Sequence, residues 1–459
     1  MSIYKPCDIR GDAASELSSS LYRNWGLALG MQLPPMSKFV VGGDARASTP
    51  AFLDALIDGL CHAGLDVVHV GQLPTPMIYH AQHRLQADGC AIVTASHNPA
   101  KMNGLKWIIH NRPPSPHDVA AMAQIASTNA RSPSNARTLD VSFDYVAGLQ
   151  EMFVDSLDAQ LRVVVDPMHG CWAEKSRRYL HAIFPQSLFS TIRDTIDPQF
   201  GGHAPDCSQS DELAPLCDAV YRERAHLGIA FDGDGDRMAV VDGDGVVLSP
   251  EETLLAILHC LGDQLRGEPF IYDLKYSDRI VDAAKNYGAQ PTPERSGHAF
   301  LRARMAETNA ILGAEVSGHY FHRALNGSED GFYTACLLIA YLARSGKTLS
   351  QLRRECPPIY MTPDVRVAVP PDRHANIIEQ IRQAWAEFPQ QTIDGVRIDL
   401  PGGWALVRSS VTEPLLTFRF EGLDWPALDD LVDRFCDTVP EFGDEVWARC
   451  RAAIGSDGS

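Results

Sequence analysis

Ala91-Ile92-Val93-Thr94-Ala95-Ser96-His97-Asn98-Pro99 opens as an apolar run, reads as a buried strand, and then breaks into small, polar, turn-forming residues. Ser96 sits at the break. In an open α/β sheet, ligands bind beyond the carboxyl ends of the strands, so that break is where chemistry is expected; taken alone it is equally an ordinary turn. Upstream, Leu17, Leu21, Trp25, Ala28 and Leu29 share one helical face, and Phe39-Val40-Val41 reads as a strand ended by Gly42-Gly43-Asp44. Thr49-Pro50 starts a helix carrying Phe52, Leu53, Leu56 and Ile57, Gly64 follows it, and Val67 to Val70 form a further strand. This alternation predicts βαβ units in a largely parallel sheet.

The pattern restarts twice. Leu161 to Val165 leads into Asp166-Pro167-Met168-His169-Gly170, and the strand Leu227 to Phe231 ends at Asp232. Val240 to Leu248 has an Asp-Gly turn between β-formers and reads as a hairpin. Phe270-Ile271-Tyr272 then ends at Asp273 and Lys275, and Ala310-Ile311-Leu312 leads into Gly313-Ala314-Glu315-Val316-Ser317-Gly318-His319. After Cys356-Pro357-Pro358 the texture changes: Val365, Val367 and Val369 alternate, and Leu416, Phe418 and Phe420 alternate with Thr417 and Arg419 as in a half-buried antiparallel strand. The expected domains are 1–143, 144–248, 249–357 and a smaller α+β domain over 358–459.

With 459 residues, 45% hydrophobic and 21% charged, the chain has a soluble globular composition and exceeds one core. It has neither a membrane-spanning run nor the apolar core of a signal peptide, and 11 scattered cysteines without a CxxC pair suit a reducing compartment, so the expected location is the cytoplasm. A net charge of -18 argues against nucleic acid and anionic lipid as partners. An anionic substrate must therefore be drawn in by local positive charge.

Asp232-Gly233-Asp234-Gly235-Asp236-Arg237 packs three mutually repelling carboxylates on a backbone free to curl. Few protein ligands plus a phosphate oxygen suit Mg²⁺. An EF-hand loop would need glycine and glutamate where Arg237 and Gly243 stand. Arg237 would be held beside the ion, able to neutralise a transferring phosphoryl group. Ser96-His97 lacks the Gly-x-Ser-x-Gly turn of a hydrolase nucleophile.

Thr94-Ala95-Ser96-His97-Asn98-Pro99 with Asn103-Gly104-Leu105-Lys106, the aspartate loop, Gly313 to His319, and Arg408-Ser409-Ser410-Val411-Thr412-Glu413-Pro414 together resemble the four signatures of the α-D-phosphohexomutases. The resemblance runs in family order over essentially the whole chain and is nearest the bacterial phosphomannomutase/phosphoglucomutase branch. It implies three related α/β domains with mixed, largely parallel sheets and a C-terminal α+β, TATA-binding-protein-like domain around a central cleft. It implies a phosphate on Ser96 that completes one Mg²⁺ site with Asp232, Asp234 and Asp236. Catalytic roles go to Ser96, His97, Lys106, Arg237 and His319, sugar contacts to Glu315 and Ser317, and the substrate's own phosphate to Arg408, Ser410 and Thr412. Arg10, Lys275 and His298 match positions lining the cleft. The implied reaction interconverts hexose 1-phosphate and hexose 6-phosphate, of mannose or glucose, through a hexose 1,6-bisphosphate that also serves as activator. Two departures stand out: Cys7 where many relatives have an aromatic residue, and Val411 where the last motif usually has asparagine. A phosphoglucosamine mutase, a phosphosugar phosphatase and a catalytically silent sugar-phosphate binding protein remain as alternatives, and the oligomeric state, a monomer included, stays open.

Overall fold

In the first α/β unit, Lys38–Gly43 runs between two parallel neighbours, Asp66–Gln72 and Gly89–Val93, and Met102–Ile109 adds antiparallel to the last. The same order recurs with Arg162–Asp166, Leu188–Thr191, Leu227–Phe231 and Met238–Asp242, and again with Pro269–Asp273, Gln290–Glu294, Leu312–Ala314 and Tyr320–His322. Ile9–Asp12 and Arg137–Thr138 edge the first sheet, and Ser328–Glu329 edges the third. These relations come from a computed structural model that describes residues 2–124, 131, 134–410, 414–439 and 442–457. Val411 and Thr412 lie outside the described residues.

The strands form where the apolar runs predict them, because each is buried on both faces beneath helices. The helix Thr49–His62 begins after Ser48 with Pro50 in its first turn, as its sequence predicts. Leu17 is buried but precedes its helix, which Ser18 caps before Ser19–Met31. One apolar core runs through the first three domains. Within it Trp172 stacks on Phe332 with ring centroids 4.4 Å apart, and Tyr145 packs against both.

The fourth sheet is antiparallel, with Leu415–Gly422 paired to Tyr360–Met361, Val365–Ala368 and Gly403–Ser409, and the last continued by Val396–Leu400 and Gln390–Gln391. Its own core sets Ile377, Ile381, Leu428 and Phe435 of two helices against Val396, Val407, Phe418 and Phe420.

Val240 to Leu248 folds back on itself as expected: beyond the pairing of Met238–Asp242 with Leu227–Phe231, the Asp242 amide donates to the Val246 carbonyl and the Leu248 amide to the Val240 carbonyl, around an antiparallel bridge of Val241 with Val247. One expectation is corrected. The strand Leu415–Gly422 is buried on both faces: Thr417, buried as well, lines the cleft, and Arg419 and Glu421 pack against the third domain. There Arg419 Nη2 meets Glu251 Oε1 at 3.0 Å, and Glu421 accepts hydrogen bonds from Ser277 Oγ and the Asp278 amide.

Candidate active site

In each repeated unit the third strand carries the residue on which the sequence reading turned. Gly89–Val93 leads to Ser96, Leu227–Phe231 to Asp232, and Leu312–Ala314 to Glu315. The three carboxyl ends converge, as expected for open α/β sheets.

Ser96 is fully buried and adopts a φ of +53°. Its Oγ donates to Asp232 Oδ2 at 2.9 Å and lies 3.3 Å from His97 Nδ1. The aspartate loop closes against it: a Cβ on Gly233 would come within 2.8 Å of the Ser96 carbonyl oxygen. Gly235, at φ +76°, would drive a Cβ into the Trp172 ring whose Nε1 donates to its carbonyl. The Gly235 and Arg237 amides donate to Asp232 Oδ1 at 3.0 and 3.2 Å, fixing the curl.

Asp232, Asp234 and Asp236 each bring a carboxylate oxygen within 4.8 Å of the others, and all three are buried. Lys106 answers their charge, its Nζ donating to Asp234 Oδ2 at 2.9 Å and Asp236 Oδ2 at 2.6 Å. Thr75 Oγ1 also donates to Asp234 Oδ2, at 2.8 Å, whereas buried Asp234 Oδ1 has no hydrogen-bond partner among the described residues. An all-oxygen cluster with an orphaned carboxylate oxygen fits a hard divalent cation.

Electrostatics divide the group. Burial and the other two aspartates push Asp232 well above the usual carboxylate range, whereas Lys106 and His319 overcome burial and hold Asp236 well below it. His319 faces Asp236 Oδ1 at 3.2 Å and Glu315 Oε2 at 2.9 Å. These carboxylates outweigh burial and raise its imidazole to about 9. His97 goes the other way, driven well down by burial, Arg237 and Arg10. Arg237 Nε lies 3.3 Å from His319 Nε2 and 3.9 Å from Asp232 Oδ2.

Above this floor opens a cleft of about 1770 Å³ lined by all four domains. Arg10, His97, Arg237, Lys275, His298 and His319 bring positive or basic groups to it, with Glu315, Ser317, Arg408 and Ser410. Arg10 is forked onto Asp8 Oδ2 at 2.8 and 2.9 Å and donates to Asn98 Oδ1 at 2.8 Å. His298 stands 3.6 Å from the same Asp8 oxygen. On the far wall Lys275 Nζ donates to Asp364 Oδ2 at 3.0 Å, and Arg408 Nε donates to Asp394 Oδ2 at 2.6 Å. Buried Arg408 Nη2 has no partner among the described residues. Every sequence-predicted site residue that the structure describes thus belongs to the floor or the cleft.

Models of the phosphoglucomutase/phosphomannomutase family match this chain domain by domain: α/β/α domain I over 2–132, domain II over 143–245, domain III over 249–360, and the C-terminal domain over 365–438. The chain belongs to the phosphoglucomutase/phosphomannomutase family. It is therefore a phosphohexomutase-family enzyme of the phosphotransferase/isomerase type. It is 30% identical over 427 residues to the phosphomannomutase/phosphoglucomutase of Pseudomonas aeruginosa, covering 92% of this chain and 91% of that one. A solved phosphoglucomutase/phosphomannomutase family protein from Burkholderia thailandensis superposes with a TM-score of 0.85 at 30% identity, over 95% of this chain and 96% of that one. An N-acetylphosphoglucosamine mutase from Aspergillus fumigatus, solved with GlcNAc-6P and magnesium, shares the fold at 14% identity and a TM-score of 0.63, over 96% of each chain.

Four residues of this phosphohexomutase-family site escaped the sequence reading. Asp8 ties Arg10 to His298, Asp364 and Asp394 hold the far-wall cations, and Arg46 braces the Ser96 loop from below. Asp8 was within reach, two residues before Arg10 in the same strand-forming stretch. The others have no motif around them. All 11 cysteines are free thiols, and among the described residues no helix is long and apolar enough to cross a membrane.

Proposed function

We propose that this chain interconverts hexose 1-phosphate and hexose 6-phosphate by lending a phosphoryl group from Ser96 and recovering it from the sugar's other end. The observation that carries the reading is Ser96 Oγ at 2.9 Å from Asp232 in a buried carboxylate cluster, directly beneath a cation-lined cleft.

Asp232, Asp234, Asp236 and the phosphate on Ser96 would hold one Mg²⁺, which when bound supplies charge neutralisation to the transferring phosphoryl group. The phosphorus–Oγ bond of Ser96 breaks as a bond to the sugar's free hydroxyl oxygen forms, and the proton that the sugar hydroxyl gives up ends on Ser96 Oγ. His97, kept neutral and 3.3 Å from Oγ, is the group that relays it. Lys106 and Arg237 face the charge that builds on the phosphoryl oxygens, and cationic His319 stands beside them. Glu315 and Ser317 take sugar hydroxyls, and Arg408, Ser410 and Thr412 grip the phosphate not being transferred. Arg10, Lys275 and His298 complete the positive wall. The bisphosphate then turns over in the cleft and returns a phosphate to Ser96. We assign glucose and mannose phosphates as its small-molecule partners and the cytoplasm as its location, consistent with the free thiols.

The test dephosphorylates the protein, confirms loss of phosphate by mass, and follows glucose 1-phosphate conversion with and without a trace of glucose 1,6-bisphosphate. The expected result is a lag or no activity without the bisphosphate, recovery with it, and phosphate mapped to Ser96. Steady release of inorganic phosphate in place of isomerised sugar would instead make the chain a phosphatase. Parallel assays on mannose 1-phosphate and glucosamine 1-phosphate separate the mannose/glucose enzyme from a glucosamine enzyme.

A further inference from the structure

The loop carrying Ser96 is held by a side chain that lines neither the cleft nor the carboxylate cluster. Arg46 is fully buried, in the turn after Lys38–Gly43, and all five of its guanidinium N–H groups are used. Nε donates to Asp44 Oδ2 at 2.8 Å. Nη1 donates to the carbonyls of Pro99 at 2.6 Å and Met102 at 3.0 Å, and Nη2 to those of Ser96 at 2.7 Å and Asn98 at 2.6 Å. Asp44 is equally saturated: Oδ1 accepts from the Arg46 amide and Thr49 Oγ1, and Oδ2 from Thr94 Oγ1 at 2.8 Å. Thr94 Oγ1 in turn accepts the Ser96 amide at 2.8 Å. Phe200, from the second domain, lays its ring over the guanidinium with the centroid at 5.0 Å.

These contacts meet a specific need. A serine at φ +53° sits in the sparsely populated left-handed region and persists there only where the surroundings over-determine it. Four carbonyls of one turn held by one planar fork supply that over-determination. The Arg46–Asp44 pair is formally neutral, so it places no net charge under the phosphate: what it supplies is geometry. A lysine, with three donors on one atom, cannot bridge four carbonyls and a carboxylate.

We propose that Arg46 is a positioning residue for phosphoryl transfer: its five-donor clamp, closed by Phe200, holds the Ser96 loop left-handed with Oγ aimed at Asp232. The inference rests on the reading of Ser96 as the phosphoryl carrier.

Its test uses the full chain with Arg46→Lys, Phe200→Leu and, as a separate control, Ser96→Ala. Each folded variant is measured for kcat and KM on glucose 1-phosphate, and for the rate of phosphate uptake from glucose 1,6-bisphosphate by intact mass. Arg46→Lys is expected to lose about 10²-fold in both kcat and phosphate uptake, the scale of an ångström-sized misplacement, with KM within about threefold. A purely structural role would lower the thermal midpoint without that split. Wild-type kcat and uptake in folded Arg46→Lys would overturn the proposal. If Arg46→Lys does not fold, Phe200→Leu decides. It keeps all five hydrogen bonds but loses the ring, and is expected to lower kcat and uptake about 3- to 10-fold at unchanged KM; wild-type rates there would overturn the proposal. Turnover in Ser96→Ala would remove the carrier reading itself, whatever the Arg46 variants do.

Discussion

The floor and the far wall of the cleft are both rich in ion pairs, but they are built differently. On the floor, Asp232, Asp234, Asp236, Lys106 and Ser96 are buried and interlocked, and they stand on domains that share one apolar core. On the wall, Lys275, Asp364 and Arg408 line the open cleft, with buried Asp394 behind Arg408, and the fourth domain meets the third through Arg419–Glu251 and the Glu421 contacts. A group that must be placed to a fraction of an ångström belongs on the floor. A cation that must release one anion to take another belongs on the wall. Floor substitutions should therefore act on kcat, and wall substitutions on KM.

Asp234→Asn probes the floor and carries the largest expected effect. With its amide oxygen in the place of Oδ2, the asparagine keeps the Thr75 and Lys106 hydrogen bonds, so the fold should survive. One formal charge is gone and the orphaned oxygen becomes an amide nitrogen, which no cation will accept. The expected outcome is a fall in kcat of about 10²-fold or more, with Mg²⁺ half-saturation moved to higher concentration. Unchanged kcat and unchanged Mg²⁺ dependence would erase the contrast between floor and wall.

The wall is probed by Arg408→Lys. Alanine would strand the buried Asp394 carboxylate and confuse binding with stability, whereas lysine keeps the charge and loses the fork. We expect KM for glucose 1-phosphate to rise roughly 10-fold, the scale of one charge-assisted hydrogen bond, with kcat changed less. A variant that loses kcat at constant KM would place Arg408 functionally with the floor.

The same contrast explains what the sequence reveals. Ser96, the aspartate loop, Lys106 and the Glu315 to His319 segment are legible because each chemistry-bearing group sits within a few residues of a strand end. The strands are legible because burial on both faces leaves continuous apolar runs. Arg46 is illegible because its partners, 50 to 56 residues away, are mostly backbone carbonyls, which every residue has. Asp364 and Asp394 look like any surface acid until the fourth domain brings them beside Lys275 and Arg408. The Leu416 to Phe420 alternation misleads for a related reason. Its polar residues mark a polar interface rather than water, and alternation alone does not separate the two.

Two histidines three residues apart sharpen the comparison further. His319 and His322 are both buried, yet Asp236 and Glu315 raise the first to about 9 while burial alone takes the second down to about 3. The carboxylates, not burial, make the floor's imidazole cationic. His322 is held neutral between Thr334 Oγ1 at 2.9 Å and the Tyr333 ring. Because its folded value lies below the ordinary 6.5, its contribution to stability is complete above pH 6.5 and is lost as pH falls toward 3. Nearby Asp330 has the opposite sign: burial raises it to about 7, so its contribution is complete below about 3.8 and is lost as pH rises through 7. Between pH 4 and 6.5 the two slopes cancel in the native chain, and removing the histidine leaves that of Asp330. His322→Asn should be less stable than the native protein at pH 7.5, and its deficit should shrink by about 1.4 kcal/mol for each pH unit below 6.5. Urea unfolding of both proteins at pH 7.5 and 5.5 measures this. A deficit that stays constant between the two would mean that His322 takes up a proton in the folded protein as easily as in the unfolded one, and that burial alone does not separate it from His319.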